Sequence, residues 1–110
     1  MNNIFHTDLE KRWNDFSLPE QMANIGAEIG RTINWRKKKN NQMSMNALYR
    51  GLELFDFTIN DKKNKNSLKE ILRVREAVVD FFLGDNIYKS SDIIWEKYFY
   101  YFNAATRRNR

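Results

Sequence analysis

The sequence contains no cysteine, a single proline and a single histidine among its 110 residues. Without cysteine the chain cannot form a disulfide or a sulfur-based metal site. One proline and four glycines argue against a loop-rich or all-β design. No stretch approaches the roughly 20 apolar residues that cross a bilayer. The start, "MNNIFHTDLEKRW", lacks the pattern of a signal peptide. We therefore expect a cytoplasmic protein with no membrane partner.

Catalytic chemistry has few candidate residues. His6 is the only histidine, and its position close to the start of the chain favours a surface residue over a general acid or base. The sequence contains no glycine-rich phosphate loop and no metal-ligand cluster of histidine and cysteine. We therefore expect no catalytic residues, no metal and no cofactor, and a protein that is not an enzyme.

Hydrophobic residues make up 42% of the chain and aromatic residues 15%, which is enough for one buried core. We expect a single domain over residues 1–110. Three segments fit the capping box, in which a hydroxyl and an acid three residues later satisfy the first backbone groups of a helix. They are "TDLE", "SLPE" and "SLKE", beginning at Thr7, Ser17 and Ser67. Ser91 is the expected cap of a further helix.

Hydrophobic periodicity then predicts a short helix over 8–16 and four main helices over 18–39, 44–60, 68–83 and 92–107. The second helix also carries the small residues Ala23, Gly26, Ala27 and Gly30 beside its apolar face. Small side chains let another helix approach closely, so we expect this helix to have neighbours on two sides. The expected fold is all-α: an antiparallel up-and-down bundle of four main helices plus a short N-terminal helix.

Arg75 falls where an apolar residue is expected in "SLKEILRVREAVVDFFLGDN". Because a buried guanidinium needs a partner, we predict a buried ion pair with Asp56, with Glu28 and Glu53 as alternative partners. On this interpretation Asp56→Ala is markedly destabilising, whereas Arg75→Met leaves the protein folded. The alternative is a pocket in which Arg75 meets an anionic ligand or a charge of a partner chain.

Net charge is +5, and the basic residues occur in clusters. The first cluster comprises Arg31, Arg36, Lys37, Lys38 and Lys39 around Trp35. The second cluster is Lys62, Lys63 and Lys65, and the third is Arg107, Arg108 and Arg110. Cations beside an aromatic ring are typical of sites that bind single-stranded nucleic acid, and we favour RNA over DNA. The alternative is that these cations complement the C-terminal ends of helix dipoles.

The last predicted helix is the most aromatic part of the chain. Tyr100 falls roughly opposite Phe102 and close to Ile93 around this helix. An exposed tyrosine and isoleucine at helical spacing indicate a contact patch for another protomer or another protein. Scattered surface apolar residues are an equally good interpretation.

The segments "RGLELFDFTIND", "REAVVDFFLGDN" and "KYFYYFNAATR" together resemble a group of small, uncharacterised prokaryotic helical proteins. The resemblance covers most of the chain from Pro19 onward and implies a self-contained α domain without an assigned activity. In size, charge and helix count, the chain is also similar to the basic helical-bundle accessory proteins of diversity-generating retroelements. That similarity implies ring formation and binding to RNA and a reverse transcriptase.

Together these patterns indicate a small basic accessory protein, homo-oligomeric, that binds nucleic acid or a nucleic-acid enzyme through its basic helix ends. The alternative is a protein–protein interaction module, such as a complex-assembly or antitoxin-like subunit, that uses the aromatic last helix.

Overall fold

The computed structural model describes the backbone of residues 3–108 and the side chains of residues 8–107. The described chain is all-α. Five α-helices and one short 3₁₀ helix follow each other along the sequence, and no strand occurs among the described residues. The α-helices are α1 (Asn3–Trp13), α2 (Leu18–Lys37), α3 (Asn41–Asn60), α4 (Leu68–Leu83) and α5 (Asp92–Arg108), and the 3₁₀ helix spans Lys62–Ser67.

Helix α2 lies between α3 and α5, and α4 packs on the other side of α3. Neighbouring long helices run antiparallel. The Ser44 hydroxyl, near the start of α3, donates to the Thr32 carbonyl near the end of α2 at 2.8 Å. Arg36, at the end of α2, pairs with Asp92 at the start of α5. The predicted antiparallel bundle of four main helices with a short N-terminal helix is therefore confirmed.

Two of the four predicted helix caps are present. The Ser17 hydroxyl accepts from the Glu20 backbone N–H at 3.3 Å, and the Glu20 carboxylate accepts from the Ser17 N–H at 2.9 Å. The Ser91 hydroxyl accepts from the Ile94 N–H at 3.2 Å. The other two predicted caps, Thr7 and Ser67, are wrong. Helix α1 begins at Asn3, so Thr7 lies inside it, and Ser67 makes no capping bond because the 3₁₀ helix runs directly into α4.

The core lies between α2, α3, α4 and α5. Its most buried large side chains include Ile25, Ile29 and Ile33 of α2 with Leu48 and Phe55 of α3, each with at most 1% of its surface exposed. Fully burying a side chain of this kind contributes about 1.5–3 kcal/mol. The second face of α2 meets α5 at Gly26, as the small residues there predict.

The segment "NDKKNKN" differs from the solvated connection that its polarity suggests. It forms the 3₁₀ helix, and two of its side chains, Asp61 and Asn64, are buried. The Gln21 amide donates to Asp61 Oδ2 at 2.9 Å, and the Asn64 amide donates to Gln21 Oε1 at 2.8 Å. Because the buried polar groups of Asp61 and Asn64 have hydrogen-bond partners, the segment can pack against the bundle instead of facing water.

This polar network also fixes α1. The Trp13 indole N–H donates to the Thr58 hydroxyl at 2.9 Å, and the Gln21 amide donates to the Trp13 carbonyl at 3.0 Å. Burial alone raises the pKa of Asp61. Hydrogen bonds from Lys63 and Gln21 outweigh that effect, so the pKa lies below its ordinary value. The network therefore holds a charged carboxylate in place.

Arg75 has the expected partner in an unexpected setting. Its Nε donates to Asp56 Oδ1 at 2.9 Å, but the two side chains are 31% and 53% exposed. The buried side of α4 is centred on Ile71 and Val78, to one side of Arg75, whereas Leu72 on its other side is 46% exposed. The expectation of burial was therefore wrong, because α4 packs against α3 over a narrower face than its apolar stripe predicts.

Candidate protein-binding surface

A groove runs between α2 and α5, and its floor is made by the small residues of α2. At Gly26 the two helices are in direct contact, since a Cβ atom there would lie 2.6 Å from the Phe99 Cβ. At Gly30 nothing lies within 4 Å of the equivalent Cβ position. Ala23 and Ala27 also line this space. The small-residue stripe is therefore only partly covered by α5.

The α2–α5 groove has a volume of about 520 Å³, within the range of ligand-binding clefts in proteins. Aromatic side chains flank it: Phe16 is 40% exposed and Tyr100 is 65% exposed. Trp95 also lines the groove and is only 5% exposed. Within the described residues, its indole N–H has no hydrogen-bond acceptor. The groove thus combines a floor of small residues with aromatic walls, and the indole N–H of one wall residue is buried without an acceptor among the described residues.

Helix α5 is apolar on both sides. Trp95 and Phe99 face the bundle with 5% and 6% of their surfaces exposed. Four further large side chains point the other way and define the α5 outer face: Ile93, Ile94, Tyr100 and Tyr101, which are 62%, 50%, 65% and 64% exposed. At 100° per residue, Lys97 is the one charged position that falls among them. Apolar side chains on a helix ordinarily face the core, so four large ones on the outer side of α5 are more than a solvent-facing side requires.

The turn before α5 adds two more exposed apolar residues. Asp80 accepts hydrogen bonds from the backbone N–H groups of Ile87 and Tyr88 at 2.9 and 3.0 Å. The Tyr88 hydroxyl donates to Glu76 at 2.7 Å, and this carboxylate raises the pKa of Tyr88. The turn is therefore held in one conformation by two acids of α4, while Ile87 remains 74% exposed.

Most cations of the first basic cluster contact other parts of the chain. Arg31 pairs with Glu28 at 3.2 Å, and Lys37 lies 3.9 Å from Glu96. The Lys38 ammonium lies 5.2 Å from the centre of the Trp35 ring. Lys39 is exposed, with a φ of 63° in the connection to α3.

Arg36 is the most enclosed member of that cluster. It pairs with Asp92, and its guanidinium lies 5.0 Å from the ring centres of both Phe81 and Phe82. One side chain of α2 thereby contacts α4 and α5 together. Cation–π contacts and a carboxylate partner make this arginine part of the packing of the bundle.

The second and third clusters lie at the opposite end of the bundle. Lys63 binds Asp61 and donates to the Asn14 carbonyl at 2.9 Å, so it belongs to the polar network. Lys62, Lys65 and Arg107 are exposed. The side chains of Arg108 and Arg110 lie outside the described residues.

Titratable groups suited to catalysis do not gather at any of these places. Among the described side chains, no group of three or more histidine, cysteine, aspartate or glutamate residues is arranged to hold a metal ion. The side chain of His6 lies outside the described side chains.

Burial, with a smaller contribution from Glu70, raises the pKa of Tyr98 to about 12, which keeps this phenol neutral. Nor is any described helix apolar over a length that would cross a bilayer.

The sequence predicted two members of the α5 outer face, Ile93 and Tyr100, and missed Ile94 and Tyr101. The signal was present in "IIWEKYFYYF", because residues seven apart repeat the same direction around a helix. The groove itself depends on where α5 diverges from α2, which no local pattern records.

In comparisons with protein-family models, with curated proteins and with solved structures, nothing matched this chain.

Proposed function

We propose that this chain is a small non-catalytic binding module that associates with protein through the α5 outer face and the adjoining α2–α5 groove. The observation that carries the proposal is the concentration of exposed apolar residues. Eleven large hydrophobic side chains are exposed among those described, and six of them lie between positions 87 and 101. A concentration of exposed apolar side chains of this kind is typical of protein-interaction sites.

The chemistry of this surface favours protein over nucleic acid. Tyrosine and isoleucine provide contact area without a phosphate-binding charge, and Lys97 is the one cation within the α5 outer face. Two cations at the end of α2, Arg36 and Lys37, lie against Asp92 and Glu96 of α5. A partner protein would remove the tyrosine rings from water and contribute hydrophobic free energy of binding.

Site-specific photo-cross-linking in living cells tests the proposal. Tyr101 is replaced by benzoylphenylalanine, and the same replacement at Tyr49 is the matched control. Tyr49 is also an exposed tyrosine, at 56%, but it lies on α3. We expect irradiation to give one or two discrete cross-linked species from position 101 and none of the same mass from position 49. Indistinguishable patterns from the two positions would overturn the proposal.

A second candidate function is binding of single-stranded nucleic acid, RNA in preference to DNA, at the end of the bundle that carries the 3₁₀ helix. The observation in its favour is that Lys62, Lys65 and Arg107 are exposed there, and no ion pair engages them among the described residues. We expect these cations to contact phosphates and not to stack with bases. The aromatic ring that lies within a basic cluster, Trp35, is at the other end of the bundle.

Fluorescence anisotropy with single-stranded RNA and DNA oligonucleotides tests this second function. We expect Lys62→Gln with Lys65→Gln to weaken RNA binding about tenfold and to reduce the dependence of log K on log salt by about 1.4. The control pair is Lys39→Gln with Lys89→Gln, which removes two exposed cations from the opposite end. Equal weakening by both pairs would argue for unspecific charge attraction.

A further inference from the structure

We infer that the partner covering the α5 outer face is a second copy of this chain, so that the protein is a symmetric dimer. The inference rests on the proposed function and names its partner. It follows from the area that the face offers, from the arrangement of its charges and from the groove beside it.

The exposed area matches what one dimer interface requires. The two tyrosines and two isoleucines of the α5 outer face are half to two thirds exposed. A tyrosine side chain that is fully removed from water buries about 200 Å², and an isoleucine about half of that. Multiplied by the exposed fractions, the four side chains offer roughly 400 Å² of mostly apolar surface. A standard interface buries about 800 Å² on each partner, of which somewhat more than half is apolar. The four side chains therefore supply most of the apolar area of one such interface.

The charges around the face are complementary to those of a second copy. Glu96 and Lys97 lie on opposite sides of the line through Ile93 and Tyr100 at 100° per residue. Glu96 is 47% exposed, and its carboxylate lies 3.9 Å from the Lys37 ammonium, which is close to the limit for an ion pair and leaves the carboxylate accessible to a second copy. Two copies of α5 can therefore pair Glu96 of each with Lys97 of the other. A second copy brings its own Lys97 toward the apolar area, and pairing each Lys97 with Glu96 of the other copy offsets the cost of desolvating the two ammonium groups.

The shape is self-complementary as well. Tyr100 is exposed and projects beside the α2–α5 groove, whose floor at Gly30 is open. In a twofold dimer each surface element meets its counterpart reciprocally, so Tyr100 of each copy can occupy the groove of the other. Both grooves are then filled, and the twofold contact uses the same surface of both copies, so it does not propagate. The expected assembly is a closed dimer.

Light scattering during size exclusion of the purified full-length chain tests the inference. We expect a mass of twice 13.3 kDa for the unchanged protein. Tyr100→Glu is expected to weaken dimerisation at least about 30-fold, the effect of removing a central tyrosine from an interface. The matched control is Tyr49→Glu on α3, which leaves the dimer intact. Ile93→Glu gives an independent disruption, and circular dichroism verifies that each variant is folded.

The outcomes separate the inference from the proposed function. A folded, unchanged protein of 13.3 kDa at all concentrations overturns the second copy as the partner. So does a dimer that survives both Tyr100→Glu and Ile93→Glu. If position 101 then still gives discrete cross-links of another mass in cells, protein binding through the face stands and its partner is a different chain. If it gives none, both the function and the inference fail.

Discussion

Helix α5 approaches α2 so closely at one point that Gly26 and Phe99 leave no room for a methyl group between them. A Cβ atom on residue 26 would lie 2.6 Å from the Phe99 Cβ and 2.9 Å from its Cγ. These Phe99 atoms are close to the backbone, so they cannot move away without moving α5. One turn further along α2, Gly30 has nothing within 4 Å of the equivalent position. Two glycines of one stripe therefore have different roles.

This difference predicts opposite effects of the same substitution. Gly26→Ala must displace α5 and is expected to lower the free energy of unfolding by about 1–3 kcal/mol, the usual cost of overpacking. Gly30→Ala meets open space and gains helix propensity, so it is expected to raise the free energy of unfolding by about 0.5–1 kcal/mol. Urea unfolding followed by circular dichroism measures both, on Tyr100→Glu backgrounds in which no second copy covers Gly30. Equal effects of the two substitutions would contradict the close contact at Gly26.

The sequence predicted the helices and their arrangement because these depend on local patterns. Ser17 and Glu20 form the predicted capping box, and the small residues of α2 correctly indicated a neighbour on a second side. The buried polar network was missed for a physical reason. Gln21 and Asp61 are 40 residues apart and each reads as a surface residue in its own segment. The hydrogen-bonding groups of both side chains find partners only when the two segments come together in the fold. Such a tertiary contact leaves no periodic signal in the sequence.

The candidate surface was half predictable for a related reason. Periodicity places Ile93 and Tyr100 away from the core, but it does not tell whether another part of the same chain covers them. Arg75 illustrates the same limit in reverse. Its position within an apolar stripe predicted burial, yet α3 covers only the side of α4 that carries Ile71 and Val78. Which part of a stripe is buried is decided by the neighbouring helix.

The exposure of the Arg75–Asp56 pair changes the expected outcome of mutating it. Exposed ion pairs contribute about 0.2–1 kcal/mol, so Arg75→Met and Asp56→Ala are each expected to have small effects of that size. A double-mutant cycle should give a coupling energy of about 0.5 kcal/mol that decreases with added salt. Thermal melts of the four proteins measure it. A loss above about 3 kcal/mol for Asp56→Ala alone would mean that the pair is buried after all.

The buried carboxylate of Asp61 predicts a dependence of stability on pH. Because its folded-state pKa lies below the ordinary value of 3.8, its stabilising contribution is fully present above that value. It is lost as the pH falls through the lower, folded-state pKa. Urea midpoints are therefore expected to decline below about pH 4, in part through this group.

Asp61→Asn isolates that contribution. At pH 7 it is expected to cost about 1.5–3 kcal/mol, since charge-assisted hydrogen bonds to Lys63 and Gln21 are lost. The difference from the unchanged protein should narrow as the pH is lowered below 3.8. Asp85→Asn, in the exposed turn after α4, serves as the control and should change little at any pH. A difference for Asp61→Asn that stays constant down to pH 2 would contradict a lowered pKa.

Two tryptophans with nearly equal burial differ in their hydrogen bonding, and this difference can be measured. Trp13 is 4% exposed and donates to the Thr58 hydroxyl, whereas Trp95 is 5% exposed and has no acceptor among the described residues. Trp13→Phe and Trp95→Phe both remove the same ring volume from a buried site. Only the first also breaks a hydrogen bond, so its loss of unfolding free energy is expected to be larger by about 1–2 kcal/mol. Urea unfolding should be measured on Tyr100→Glu backgrounds, where any covering partner is removed. If Trp95→Phe is instead the costlier change there, its indole N–H has an acceptor within the chain.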